Sequence, residues 1–415
     1  MAAQLNVALI DAGGSNWPAE VDRVRRLLGA PTNPLLFPPH FFKTTFPHIG
    51  GYLVVCTLDE RFAGAGFLFP RALSPSAREY TLRFHPTDPS QPVDPVELIG
   101  RIQELLPRSR CHFYNPSAEQ DFCSCHQVVD GIEYGRPAER DAAAIRSLQQ
   151  TIWDCEEDYL YPVDIHSTDF RASTSLVART DQQIAGFAFG FYSFGGPPLP
   201  PQWHDRFRTD LRMESQLLGV HPRCRGGGIG FHLKRLQAEA ALREGIDLVH
   251  WTVDPLQLAN AMLNLVHLGA VALHFYPNYH PFRNVLNQVA ASRLQITWLI
   301  TTNRARRALT SHQPARFLDL AKARDVITMN QGTLVRHLDA SSRRIAIEVP
   351  AAWTALQQQD LTQAQEWRAA TDAILTHCLG GEHGRYILTG LGAHGPRRYL
   401  IAERVNATLL DRLAE

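Results

Sequence analysis

The run Leu218-Gly219-Val220-His221-Pro222-Arg223-Cys224-Arg225-Gly226-Gly227-Gly228-Ile229-Gly230 reads as the end of a strand, a glycine-rich loop and the first turn of a helix. Leu218 and Val220 are the apolar end of the strand. The segment from Phe231 to Glu244 then places Leu233, Leu236, Ala240 and Leu242 near helical spacing, with Lys234, Arg235, Glu239 and Arg243 between them. A loop of this kind lets backbone N–H groups crowd around an anion. The helix start adds a partial positive charge of roughly half an elementary unit. A diphosphate is the natural guest.

The glycine spacing narrows the choice. A dinucleotide fingerprint, G-x-G-x-x-G, fails at Phe231 when counted from Gly226 and at Leu233 when counted from Gly228. The Gly-Lys-Ser/Thr ending of a P-loop is absent. What matches is R-G-x-G-x-G, here Arg225-Gly226-Gly227-Gly228-Ile229-Gly230, preceded by Val220-His221-Pro222. This resembles the acyl-CoA pyrophosphate loop of the GCN5-related N-acetyltransferase (GNAT) superfamily. The resemblance implies that Leu218, Gly219, Val220, Arg225, Gly226, Gly227, Gly228, Ile229 and Gly230 bind an acyl-CoA donor, acetyl-CoA or another.

The bulk properties are those of a globular protein with ordinary cores. Apolar residues make up 45% of 415 positions, a length that predicts two to three domains. Lys plus Arg and Asp plus Glu are both 41, which gives no global charge for nucleic acid or membrane. No apolar stretch is long enough to span a bilayer, and Met1–Asp11 lacks the basic start and apolar run of a signal peptide. The expected location is the cytoplasm. The seven cysteines are scattered, which argues against a disulfide framework. Cys111-His112 and Cys123-Ser124-Cys125-His126 raise a zinc site, but C-x-C is not the usual C-x2-C knuckle, and no metal is expected.

A faint repeat organises the first half. Tyr52–Gly64 and Ser175–Gly186 each read as two strands around a polar turn, running on into Ala65-Gly66-Phe67-Leu68-Phe69 and Phe187-Ala188-Phe189-Gly190-Phe191. In the GNAT resemblance this hairpin is the second and third strands of the fold. After the first copy, Tyr80–Phe84 leads into His85-Pro86-Thr87-Asp88-Pro89-Ser90-Gln91-Pro92, where prolines remove N–H groups a phosphate loop would need. A helix over Pro95–Leu106 and a strand over Cys111–Tyr114 follow. Residues 1–130 are thus expected to form a shortened GNAT-like module without its cofactor loop, or an unrelated α/β domain.

A second module, residues 131–308, opens with a strand at Gly131–Tyr134 and a helix from Pro137 to Trp153. Its expected fourth strand is Met213–Val220, its fifth Leu248–Val253, and a helix over Leu256–Leu268 precedes a closing strand at Leu294–Ile300. Residues 309–415 form a C-terminal extension with a strand at Arg344–Pro350, a helix over Leu361–Leu379 and a hairpin of Arg385–Leu391 with Arg398–Ala402. The expected class is α/β (α+β): a central mixed, mostly antiparallel sheet flanked by helices, in two tandem GNAT-like modules plus an α/β extension.

Acyl transfer from a thioester to an amine requires a held donor, a base for the amine, and a proton or dipole for the leaving thiolate. Several GNAT branches carry a catalytic Glu on the strand that delivers the loop, and Glu214 stands there. Regular alternation would put Glu214, Gln216, Leu218 and Val220 on one face, with Ser215, Leu217 and Gly219 on the other. The superfamily's usual acid is a Tyr four residues before the Gly that ends the next helix. That Gly is Gly269, and the matching position is Leu265. Tyr276 and Tyr279 are the substitutes, with His274 and His280 as alternatives. Asn260 and Asn264, at i and i+4 on the helix, match an Asn that in this superfamily often bonds the pantetheine arm.

A longer resemblance runs through Ser215–Val220, Leu233–Gln237, Trp251-Thr252-Val253-Asp254-Pro255-Leu256, Asn260-Ala261, Asn264-Leu265, Leu268–Ala270, Tyr276, Asn278-Tyr279 and Leu286-Asn287, then Ile347–Pro350, Ala364 and Trp367-Arg368. It is similar to a branch of GNAT proteins with a W-T-x-D-P-L signature. His280, Ser292-Arg293 and Thr371 depart from what that branch tends to have, and these positions are candidates for the acceptor pocket. The resemblance implies an acyl-CoA-dependent N-acyltransferase, acetyl or succinyl, acting on a small amine such as an amino acid in a ternary complex, as a monomer or homodimer. The alternative is a catalytically weak CoA-binding sensor or scaffold.

Overall fold

The computed structural model describes residues 4–29, 37–74, 77–88, 90, 93–123, 126–181, 183–280, 287–310, 317–338, 341–379 and 385–415. It divides into two compact units, residues 1–196 with 209–246, and residues 197–208 with 247–415.

The first unit contains two sheets. One is ordered β1-β2-β3-β4-β5: β1 (Leu5–Asp11), β2 (Tyr52–Leu58), β3 (Arg61–Leu73), β4 (Arg78–Pro86) and β5 (Ser109–Tyr114). Helices α1 (Trp17–Leu27) and α2 (Phe46–Ile49) lie between β1 and β2 in the chain. Neighbours are antiparallel up to β4, and β4 pairs in parallel with β5 across α3 (Pro95–Leu105). The second sheet is ordered β10-β9-β8-β7-β6: β6 (His126–Val129), β7 (Ile132–Gly135), β8 (Ser173–Arg179), β9 (Ile184–Ser193) and β10 (Arg212–Val220). Helix α4 (Glu139–Trp153) joins β7 to β8, and α5 (Ile229–Arg243) follows β10. Both expected hairpins are present as β2–β3 and β8–β9. The β6–β7 hairpin is additional, its turn made by Asp130 and Gly131, both at positive φ.

The alternation of large and very small residues in β9 explains the layering. Phe187, Phe189 and Phe191 enter one core, where they meet Phe37, Phe41, Phe42, Phe46, Phe67, Phe69 and Tyr161. Gly186 and Gly190 alternate with them. A Cβ at Gly186 would lie 2.9 Å from Ile229 Cγ2, and one at Gly190 would lie 3.2 Å from Gln237 Nε2. Absent side chains therefore let α5 lie close on β9, an arrangement no larger residue permits. The phenylalanines bury roughly 150–250 Å² each, which makes this aromatic cluster the main apolar anchor of the unit.

The second unit starts in sequence with β11 (Leu248–Val253) and α6 (Leu258–Ala261), which passes into a π-helical turn at Met262–His267. Then come β12 (Val271–His280), β13 (Ala291–Leu299), α7 (Asn303–Thr310), the short strands β14 (Leu318–Asp319), β15 (Val326–Thr328), β16 (Asn330–Gln331) and β17 (Leu334–Val335), and β18 (Arg344–Val349). The chain ends with α8 (Trp353–Gln359), α9 (Leu361–Leu379), β19 (Tyr386–His394), β20 (Arg397–Arg404) and α10 (Ala407–Ala414). The strand order is β15-β18-β20-β19-β12-β13-β11. Within this unit the expected C-terminal hairpin, β19–β20, joins the sheet of β11–β13 through the pair Ala272–Leu388. The long strand β12 has no counterpart in the sequence reading, because Pro277 and Asn278 interrupt its pattern. Asn278 takes up the left-handed φ of 51° there.

The fold class is as expected: mixed, mostly antiparallel sheets flanked by helices.

Candidate active site

The glycine loop is built as its composition dictates. Strand β10 ends at Val220, Pro222–Cys224 form a single 3-10 turn, and α5 begins at Ile229. The cap residue of α5 is Gly228 at φ 77°, and Gly226 is at φ 85°. Both are left-handed, where a side chain is strained. A Cβ at Gly226 would meet nothing within 4 Å, so the space above the loop is open. No side chain caps the helix. Ile229 and Gly230 open the first turn of the helix, where amides lack an intrahelical acceptor, and the helix dipole adds to their pull. Arg225 is exposed beside them, its Nε donating to Val220 O at 3.3 Å. This is a helix start that no side chain caps, and its residues fit the pyrophosphate of a CoA donor.

Strand β10 departs from regular alternation. Glu214 lies opposite Phe191 and Leu217 opposite Phe189, so three steps on β10 span two on β9. This is a β-bulge, which takes one residue out of the ladder and turns its neighbours. Ser215 therefore joins the α5 side, where Leu218 and Val220 pack with Ile229 and Leu233. Gln216 points the other way and donates to the Tyr161 hydroxyl at 2.8 Å. Leu217 packs against the aromatic core, as does the backbone of Gly219, which touches Phe187. The even-numbered face expected for Glu214, Gln216, Leu218 and Val220 is thus not formed.

Beside the bulge sits a buried polar network that the sequence reading missed. Lys234 on α5 is 2% exposed. Its Nζ donates to Ser215 Oγ at 2.7 Å and to Gln237 Oε1 at 3.2 Å, and Ser215 Oγ donates to Gln237 Oε1 at 2.8 Å. Burial pushes the Glu214 carboxyl up to about 8, with the Lys234 ammonium pulling it part of the way back. The same burial pulls Lys234 well below its usual range, opposed by Glu214. A charged residue on the buried stripe of an amphipathic helix was the available signal: Lys234 follows Leu233 directly.

The remaining candidates belong to the second unit. Tyr276 and Tyr279 on β12 are half-buried neighbours, their rings 5.7 Å apart. Asn264 is 2% exposed, whereas Asn260 is exposed. The expectation that they share a face assumed a continuous α-helix. The π-helical turn at Met262–His267 changes the phase between them. Leu265, at the superfamily's usual Tyr position, is buried. Asp254 of the W-T-x-D-P-L run accepts from Leu256 N at 2.9 Å and pairs with Arg368 at 2.6 Å, a contact 114 residues away in sequence. Ser124, Cys125, Gln182 and Leu286, like Pro89, Gln91 and Pro92, lie outside the described residues.

Residues 142–263, which hold α4, the bulged strand, the glycine loop and α5, match the family described as Acetyltransferase (GNAT) family. The chain carries a GNAT acetyltransferase domain. Solved structures similar to it include the ribosomal-protein-S18-alanine N-acetyltransferase from Escherichia coli, at 13% identity over 41% of this chain and 95% of that one, with a TM-score of 0.31. Another is diaminobutyrate acetyltransferase from Paenibacillus lautus in complex with L-2,4-diaminobutyric acid and coenzyme A, at 16% identity over 41% and 97%, with a TM-score of 0.30. Comparison with curated proteins gives no match. Glu214 and the glycine loop lie in one unit, and Asn260, Asn264, Tyr276 and Tyr279 in the other, the last three beyond the matched residues.

Proposed function

We propose that the protein is an acyl-CoA-dependent N-acyltransferase that transfers an acetyl or succinyl group directly to a small amine. The observation that carries this reading is the uncapped start of α5, with left-handed Gly226 and Gly228, directly after a bulged strand. The donor supplies an activated thioester. The amides of Gly226 to Phe231 hold its pyrophosphate, and Arg225 adds charge at the rim. Asn260 and Asn264 are the proposed partners of the pantetheine arm. Backbone N–H groups near Val220 polarise the thioester carbonyl.

Glu214 accepts the proton of the attacking amine. Its raised proton affinity suits that task near neutral pH, since a base with an ordinary carboxyl would take a proton from an ammonium far less readily. Tyr276 or Tyr279 returns a proton to the leaving thiolate. Residues 1–130 are proposed to be a GNAT-like module that has lost its donor site, residues 131–308 the working module, and residues 309–415 its extension.

Titration calorimetry with acetyl-CoA, together with thiol release over a panel of small amines, tests the reading. Binding with turnover of at least one amine supports it. Binding with no turnover on any amine favours the sensor alternative, to which the buried Leu265 in place of the usual Tyr also points.

A further inference from the structure

Ser292, Arg293 and Thr371 come together in the second unit. Near the start of β13, Ser292 is buried and Arg293 half-buried. Arg368, Thr371 and Asp372 stand at i, i+3 and i+4 on α9 and so share one face. Ser292 Oγ donates to Asp372 Oδ2 at 2.6 Å, which ties β13 to that face, and the Asn278 amide of β12 donates to Ser292 Oγ at 3.2 Å. Asp254 acts on Arg293 and Arg368 alike.

The hydrogen-bond ledger of this cluster does not close. Asp254 spends Oδ1 on Leu256 N and Oδ2 on Arg368 Nη2. Four donors shielded from water are left without an acceptor: Arg293 Nε, Arg368 Nε, Arg368 Nη1 and the Thr371 hydroxyl. Arg368 is 5% exposed and Thr371 0%. One acceptor is left, Asp372 Oδ1, which lies 3.9 Å from Arg368 Nη1. Native proteins rarely strand buried polar groups, because each one left unmade keeps the full penalty of its desolvation. Two guanidinium groups and a hydroxyl with too few acceptors call for an anion with two oxygens in a plane. That is the bidentate partner a guanidinium fork is shaped for.

Resting on the acyltransferase reading, we propose that Arg293, Arg368 and Thr371 form a recognition site for a carboxylate carried by one of the two substrates. Asp372, which is hydrogen-bonded to Ser292 and neighbours Thr371 on α9, also lines a cavity of about 680 Å³ with Asn278, Thr376 and His377; Arg293, Arg368 and Thr371 lie behind that wall. Asp372 bounds the site on its other side, with its carboxyl pushed up to about 6 by burial. The carboxylate has two chemical sources, the acceptor amine or a dicarboxylyl group on the donor. The anion is thus held by two cations and a hydroxyl.

The test is a set of initial rates of thiol release by the full chain. Acetyl-CoA and succinyl-CoA serve as donors, and L-amino acids and their amides as acceptors, for the native protein, Arg293→Gln and Arg293→Lys. If the acceptor carries the carboxylate, kcat/KM for the acid exceeds that for its amide by 10- to 100-fold, and Arg293→Gln erases that ratio chiefly through KM. If the donor carries it, the same ratio appears between succinyl-CoA and acetyl-CoA. Arg293→Lys restores only part of either preference, because it keeps the charge and loses the fork. Equal rates on both arms, or a ratio untouched by Arg293→Gln, would overturn the site. A second measurement needs no turnover: calorimetry with glutarate, without CoA. Binding to the native protein that weakens at least tenfold in Arg293→Gln supports the site even if acetyl-CoA does not bind and the acyltransferase reading falls. Absent or equal glutarate binding overturns it even if acetyl-CoA binds.

Discussion

Two helix starts in the first unit stand in the same frame and have opposite chemistry. Strand β4 ends at Pro86 and α3 is capped eight residues later by Asp94, whereas β10 ends at Val220 and α5 is capped eight residues later by Gly228. At α3 the Asp94 carboxylate accepts from Val96 N at 3.0 Å, and Pro95 has no N–H to offer. The helix carries its own anion. At α5 the cap has no side chain, and a Cβ placed at Gly226 in the loop before it would meet nothing within 4 Å. A phosphate site is made here by leaving out the group that would satisfy the helix internally.

The strands differ in the same sense. The β3–β4 ladder is regular from Tyr80 to Pro86, whereas β10 carries its bulge at Glu214–Leu217. On β4, Arg83 is fully enclosed and held by Asp164 through two contacts of 2.8 Å. On β10, Glu214 is half-buried, with its carboxyl raised by desolvation, beside a lysine whose own charge is disfavoured by burial. One polar group is neutralised and structural. The other is poised to exchange a proton.

Substitutions can break this contrast. Arg83→Ala leaves Asp164 buried and unpaired, and chemical denaturation should show a loss of about 3–5 kcal/mol. A loss below about 1 kcal/mol would mean that β4 is not held this way. Glu214→Gln should instead fold normally and lower kcat/KM about 100- to 10,000-fold. In the native protein only the ionised carboxylate is a base, so with Glu214 raised to about 8, kcat/KM should climb with pH up to that value. Below it the rate should fall about tenfold per pH unit. A rate that stays flat between pH 6 and 8 would remove Glu214 from the base role. Asp94→Ala should cost about 1 kcal/mol of stability as a lost helix cap, read by thermal melting, with acetyl-CoA affinity unchanged. The smallest effect is expected from Lys234→Met. Removing the cation that favours ionised Glu214 should move the rate midpoint to higher pH, and a downward move would contradict the pairing.

Much of the frame was legible in the sequence because it follows local periodicity. The alternation Gly186-Phe187-Ala188-Phe189-Gly190-Phe191 announces a strand, and the structure adds the close approach of α5 over its glycines. The Leu361–Leu379 helix was read with its observed bounds. The departures are places where a regular period was assumed and a bulge or π-turn intervened, as at Glu214–Leu217 and Met262–His267. The Asp254–Arg368 pair and the cluster around Thr371 join residues more than a hundred positions apart, and no local pattern encodes that. The C-terminal segment, which carries no motif of its own in sequence, supplies three of the residues of that cluster from α9.

The central claim is that the uncapped start of α5 holds the donor. Titration calorimetry with acetyl-CoA on the native protein and on Gly228→Val tests it most directly. A β-branched side chain at φ 77° is strained and crowds the first-turn amides. The account predicts one acetyl-CoA site per chain in the native protein and an affinity at least about tenfold weaker in the variant, a difference of about 1.4 kcal/mol. Equal affinity in both, with the variant folded, would contradict it.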